Sequence, residues 1–148
     1  MKSNLNLYVD LDNTLIRSDF LFECFVNFFS KDILAPIKSL FILFTKGKAV
    51  LKKYLYLKSK ISYSNLPYNQ KIIEFIKNWK KENSGEVVLI SASYHEAVCG
   101  IASYLQIFDG SYGTNEVNLK SSRKLEKINQ LNNGKGFIYI GDSIDDIA

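Results

Sequence analysis

The chain has 148 residues, of which 47% are hydrophobic, and a net charge of +4. That length suits one domain with its own core, and it excludes both a disordered polyelectrolyte and a mini-protein that needs disulfides or metals to fold. The two cysteines, Cys24 and Cys99, sit in apolar stretches without metal-type or paired spacing, so they are expected to be buried free thiols in a reducing compartment.

The opening residues, MKSNLNLYVD, lack the apolar centre of a secretory leader. Residues 5–11 form an apolar run rich in strand formers, and it ends in Asp10, Asp12 and Thr14. From 18 to 66 the pattern changes to aromatic and aliphatic residues with scattered lysines, which read as two or three helices. Pro36 marks a helix start and Gly47 a break. Within this stretch, ILAPIKSLFILFT at 33–45 is the most apolar segment. It is interrupted by Lys38 and falls short of the roughly 20 apolar residues of a spanning helix, so a buried or interfacial helix is expected. A connection of this length between two strands is seldom a plain loop.

Further on, the spacing predicts a helix over 70–83, a strand over Val87–Ile90, a helix over 94–105, a weak strand near 110–113, a helix over 121–132 and a strand over Phe137–Ile140. Ser93 and Glu96 have capping-box spacing at the start of the second of these helices. Short apolar runs bounded by turn residues and alternating with helices imply an α/β class, a Rossmann-like open parallel sheet. In such sheets ligands gather at the carboxyl ends of the strands. Those ends carry Asp10, Asp12 and Thr14 after the first strand, Ser91 and Ser93 after the second, and Asp142, Ser143, Asp145 and Asp146 after the last. Carboxylates crowded into one cleft need a counter-charge, and an oxygen-only donor set suits a hard cation such as Mg²⁺. A cation of that kind commonly works on a phosphorylated substrate.

These residues also carry a resemblance. DLDNTL at 10–15, LISAS at 89–93, Lys120 in NLKSS, and GDSIDD at 141–146 resemble, in order, the four motifs of the haloacid dehalogenase-like (HAD) hydrolases. LIRSD, LPYN and the ISAS–FDG–GTN–NLK run are similar to HAD domains fused to UbiA-like prenyltransferases. The resemblance spans essentially the whole chain and implies a HAD core at 1–17 and 67–148 with a helical cap at 18–66. It implies a Mg²⁺-dependent phosphatase in which Asp10 is the nucleophile and Asp12 the general acid and base. Ser91 and Lys120 would hold the phosphoryl group. Asp10, Asp12 through its carbonyl, and Asp142 would hold the metal, while Thr14 braces the loop and Asp146, or its neighbour Asp145, supports the fourth motif. Asn13 stands where glycine is more usual, and asparagine accepts the left-handed turn needed there.

The substrate implied is a small-molecule or prenyl-linked phosphate. The location implied is the cytoplasm, at the inner face of the membrane, with a membrane prenyltransferase domain as partner; nucleic acid is not expected. The chain ends just after the fourth motif, as an excised domain of a longer protein would. Readings outside the hydrolase class are a regulatory domain without turnover and, on the same scaffold, a phosphotransferase or phosphomutase. Both serines and Lys120 also have plainer roles open to them, as a helix cap and a solvated side chain.

Overall fold

In a computed structural model, residues 4–115, 118–120 and 122–142 are described. Four strands form one open, all-parallel sheet: β1 (Asn6–Val9), β2 (Val87–Tyr94), β3 (Gly110–Thr114) and β4 (Phe137–Ile140). Their order across the sheet is β3-β2-β1-β4, so β1 is central and hydrogen-bonds both β2 and β4. The register pairs Val9 with Leu89 on one side and with Ile140 on the other. The expected α/β class and parallel sheet are what the chain adopts.

The sheet forms because its central strands are apolar on both faces. Alternate residues of β1 and β2 point to opposite sides. Leu7, Val9, Val87 and Leu89 join the large core with helices α4 (Gln70–Glu82) and α5 (His95–Leu105). Tyr8, Val88 and Ile90 pack on Ile128 of helix α6 (Ser122–Leu131) on the other face. Helix α4 buries Ile73, Ile76 and Trp79 along one stripe and is capped by Asn69, whose side chain accepts from the Lys71 N–H.

Between β1 and α4 stand three helices: α1 (Phe20–Lys31), α2 (Ala35–Lys46) and α3 (Lys48–Ser59). Asp19 caps α1, and Pro36 occupies the first turn of α2. Gly47, with φ of 88°, makes the break between α2 and α3. The chain leaves and re-enters the sheet layer through one narrow neck. There the Arg17 N–H donates to the Pro67 carbonyl (2.9 Å) and the Asn69 N–H to the Leu15 carbonyl (2.8 Å), beside an Ile16–Tyr68 bridge. Helix α3 faces β2, and its Leu51 and Leu55 enter the same core as the sheet. Among the described residues no helix is long and apolar enough to cross a membrane.

Three details differ from the expectations. Strand β2 continues to Tyr94 instead of stopping at Ile90, with an irregularity in its pairing to β3 between those two residues. As a result Ser91 and Ser93 lie on a strand tip, not in a loop. Helix α5 starts at His95 without any side-chain cap, so the Ser93–Glu96 capping box does not form. Finally, Cys24 is buried as expected, but Cys99 is only half-buried.

Candidate active site

The site is built where the ends of β1, β2 and β4 meet. After Val9 the chain makes one wide turn, Leu11–Leu15, closed by the Leu15 N–H on the Asp10 carbonyl (3.3 Å) and the Ile16 N–H on the Leu11 carbonyl (3.1 Å). Asn13 sits within it at φ 53°, in the left-handed region that asparagine tolerates. This turn points Asp10 and Asp12 in different directions and gives them different neighbours.

Asp10 is buried, and its Oδ1 lies 3.0 Å from the Nζ of Lys124, both side chains being almost fully enclosed. Lys124 also donates to the Tyr139 hydroxyl (3.2 Å) and sits 5.8 Å from the centre of that ring. Tyr139 is on β4, so one lysine ties α6 to the tips of both β1 and β4. Asp12 meets donors of another kind. Its Oδ1 accepts from the Phe20 N–H at the start of α1 (2.7 Å), and its Oδ2 from the hydroxyls of Ser93 (3.2 Å) and Ser91 (3.3 Å). Burial pushes the Asp12 carboxyl above the usual carboxylate range. The nearby charge of Asp19 adds to the rise, while the Phe20 N–H and the two serines act against it. Ser91 is fully buried, and its oxygen accepts from the Ser93 N–H (3.0 Å).

A lysine from the inserted helices completes the rim. Lys52 of α3 reaches across to the Ala92 carbonyl and to Asn118 Oδ1 (2.9 Å). Burial brings its ammonium down to about 8, with Lys48 and Lys120 in the same sense and Asp12 and Asp19 opposing. Thr114, at the end of β3, donates to the same Ala92 carbonyl (2.7 Å). Gly113 just before it is required: a Cβ there would stand 2.6 Å from the His95 Cα. Its N–H donates to His95 Nδ1 (3.0 Å), which occupies that histidine in a structural bond.

The structure thus brings together Asp10, Asp12 and Ser91. Lys120 is exposed, and it is Lys124, four residues later in α6, that meets Asp10. The Thr14 hydroxyl is buried without a hydrogen bond among the described residues, so the bracing expected of it is not made there. Asp145 and Asp146 lie outside the described residues. Sequence reasoning missed Lys124, Ser93 in its contact with Asp12, and Lys52. A signal existed for Lys124: it shares the apolar stripe of α6 with Ile128 and Leu131, where a solvated lysine has no place.

Among the described residues no three His, Cys, Asp or Glu side chains cluster as a ready-made metal centre. Asp10 and Asp142 nonetheless follow neighbouring strands, with the Asp10 N–H on the Ile140 carbonyl (2.9 Å), and both offer carboxylate oxygens. That donor chemistry fits a hard divalent cation.

This fold is that of a known class of proteins. A HAD-family hydrolase from Salmonella enterica serovar Typhi superposes with a TM-score of 0.73 at 12% identity, covering 99% of this chain and 58% of that one. A phosphoserine phosphatase matches with a TM-score of 0.64 at 16% identity, over 97% of this chain and 80% of that one. The fold is therefore the one shared by HAD-superfamily hydrolases. In sequence, the uncharacterized protein y4nM of Sinorhizobium fredii is 36% identical over 147 residues, 97% of this chain. The chain spans only about a quarter of that relative's length, 27%. No protein-family model matches the chain.

Proposed function

We propose that the chain is a phosphomonoester hydrolase working through an aspartyl-phosphate on Asp10. The observation that carries this reading is the contrast between two carboxylates two residues apart. Asp10 has a buried ammonium 3.0 Å away. Asp12 is bonded by a backbone N–H and two hydroxyls, and burial favours its protonated form.

A nucleophile must be ionised and a general acid must hold a proton, and these surroundings favour that division. An Asp10 oxygen attacks phosphorus, the P–O bond to the leaving group breaks, and the departing alkoxide takes the proton from Asp12. Water then attacks the acyl phosphate while Asp12 accepts its proton, which releases phosphate and restores both carboxyls. The two serine hydroxyls can donate to ionised Asp12 or accept from its neutral form, so they serve both steps. Lys124, in place of the Lys120 expected from the motif order, offsets the charge on Asp10 and on the phosphoryl oxygens. Ser91 is the phosphate-binding hydroxyl, and Lys52 bears on the substrate from α3, so residues 18–66 act as a cap.

Asp10, Asp142 and the Asp12 carbonyl would hold Mg²⁺, whose charge would stabilise the phosphoryl oxygens. Asp146, or Asp145, is proposed to support that shell. One of the solved neighbours is described as a phospho-aspartyl intermediate analogue of phosphoserine phosphatase; it covers 98% of this chain at 17% identity and lends support to the same chemistry here. A phosphorylated small molecule, including a prenyl-linked one, is the proposed substrate. A membrane prenyltransferase domain remains the proposed partner, with the inner membrane face as the proposed location.

The test is phosphate release from an aryl phosphate with Mg²⁺. Wild-type protein should turn over, while EDTA treatment and Asp10→Asn should each abolish release. Turnover by Asp10→Asn at the wild-type rate would sink the assignment. Product that depends on an added acceptor alcohol, with little free phosphate, would favour a phosphotransferase.

A further inference from the structure

Helix α2 is packed against its own pattern. It fully buries only two small residues, Ala35 and Ser39, packs Ile42 and Leu43 partly against the core, and turns its other large residues outward. Ile37, Phe41 and Phe44 lie on one stripe and are 67%, 65% and 82% exposed. Helix α1 does the same on its outer side, where Phe22, Val26 and Phe29 are 60%, 45% and 47% exposed, although its inner stripe of Phe20, Cys24 and Phe28 already supplies the core. Ile33, in the turn between the helices, is 81% exposed. Phe22 of the α1 stripe and Leu40 of α2, itself 53% exposed, line one groove of about 380 Å³ between the helices. The four exposed phenylalanines alone present on the order of 500 Å² of apolar surface. The largest apolar patch on a typical soluble monomer is about 300–600 Å² in total.

The charge around this face is mainly positive, although Asp19 lines the groove. Between residues 20 and 60 the sequence has eight lysines and two acids, in a chain whose whole net charge is +4. Lys38, Lys46, Lys48 and Lys58 are all exposed on or beside α2 and α3. Of the two acids, Asp32 is already paired with Lys38. An apolar helical face fringed by lysines has the composition of an interfacial helix that enters the headgroup region of an anionic bilayer. A soluble protein partner that buried this face would need acids to match the lysines as well as an apolar surface, whereas an anionic membrane supplies both over an area without a fixed shape.

We propose that the outer face of α1 and α2 docks on anionic lipid bilayers. The inference stands apart from the hydrolase reading, since it uses none of the site residues. The experiment is co-sedimentation of the full chain with vesicles of phosphatidylcholine alone or mixed with phosphatidylglycerol. Binding is expected to the mixed vesicles, with at least tenfold weaker binding to the neutral ones and a steep fall as salt is raised. Phe41→Asp/Phe44→Asp should reduce binding by tenfold or more, and Lys46→Glu/Lys48→Glu should also lower it. Both double variants change exposed side chains, so circular dichroism and melting should match the wild type.

Failure of the wild type to sediment with mixed vesicles would overturn the proposal, as would equal binding of the Phe41→Asp/Phe44→Asp variant. Equal binding to both kinds of vesicle would remove the charge argument and overturn it too. So would a wild-type dimer that becomes monomeric in that variant and binds no vesicles, because the occupant of the face would then be a second copy of the chain.

Discussion

Lys124→Met, compared with Lys120→Ala, separates the two lysines that compete for one role. Lys124 and Asp10 are 2% and 4% exposed at their side chains and 3.0 Å apart. Removing the ammonium while keeping the methylene stem leaves Asp10 enclosed with its cation gone. Breaking a buried pair in this one-sided way costs about 3–5 kcal/mol. For a domain of this size each kcal/mol lowers Tm by about 2–4 °C, so Lys124→Met should melt roughly 6–20 °C below the wild type. Lys120 is exposed, and Lys120→Ala should stay within about 0.5 kcal/mol of the wild type. Adding Asp10→Asn to Lys124→Met removes the stranded charge, so the double variant should be more stable than the sum of the single losses predicts. In activity, Lys124→Met should lose about 10²–10³ in kcat, as when one preorganised charge stabiliser is removed, while Lys120→Ala keeps its turnover. Thermal melts in parallel with phosphate release read out both effects. An unshifted Tm in Lys124→Met, or a larger kcat loss in Lys120→Ala, would refute the reasoning.

Asp12→Asn should lower kcat by about 10²–10⁴ by removing proton transfer, with Asp10 and Lys124 untouched. The same variant has a pH signature. The folded Asp12 carboxyl is raised, so the folded state holds its proton to a higher pH than the unfolded chain does; the stability this contributes is present at low pH and is lost as pH rises through the folded value. Wild-type Tm should therefore decline relative to Asp12→Asn across that interval, and parallel Tm–pH curves would count against a buried Asp12. Lys52, brought down to about 8, has the opposite sense: the unfolded chain binds more protons between about 8 and its ordinary range, so wild-type stability should rise there relative to Lys52→Gln. If Lys52 holds the substrate as ammonium, KM should rise above about pH 8 in the wild type and lose that limb in Lys52→Gln, with kcat little changed. Ser93→Ala, which takes away one hydroxyl on Asp12, should narrow the acid side of the pH–rate profile; a profile identical to the wild type would remove Ser93 from the site.

The fold was legible because its signals are local. Four-residue apolar runs, turn residues around them and 3.6-residue periodicity between them marked every strand and helix of the sheet layer to within a few residues. The largest error there, the end of β2 at Tyr94 instead of Ile90, came from polar residues: Ser91 and Ser93 read as a loop because strand tips at a site are polar for reasons the strand itself does not need. The carboxylates were legible for the complementary reason. Asp10 and Asp12 sit on one short turn, so their nearness needs no tertiary contact, while the roles expected of them came from the family resemblance. The cations were not legible. Lys124 is 114 positions from Asp10, and Lys52 is 40 from Ala92, so each partner depends on how a helix rolls on the sheet. Lys120 fitted the order of motifs, but only the stripe of α6 could tell that the next turn points inward.

The deeper reason the site resists a local reading is that it sets two nearly identical side chains against each other. Two aspartates two residues apart have the same intrinsic acidity. They part only because the wide turn at Leu11–Leu15 aims one at a buried ammonium and the other at a helix N-terminus and two hydroxyls. The neighbours therefore belong to four separate elements: α6 for Lys124, α1 for the Phe20 N–H, and the tip of β2 for the serines, with β4 holding Tyr139 against the lysine. The helices inserted after β1 are thus part of the proton bookkeeping, since α1 begins with the N–H that Asp12 accepts. Residues 18–66 join the sheet layer only through the neck of Leu15–Arg17 and Pro67–Asn69, so a change of angle there would shift that N–H and Lys52, the one bonded to Asp12 and the other within the field of its charge.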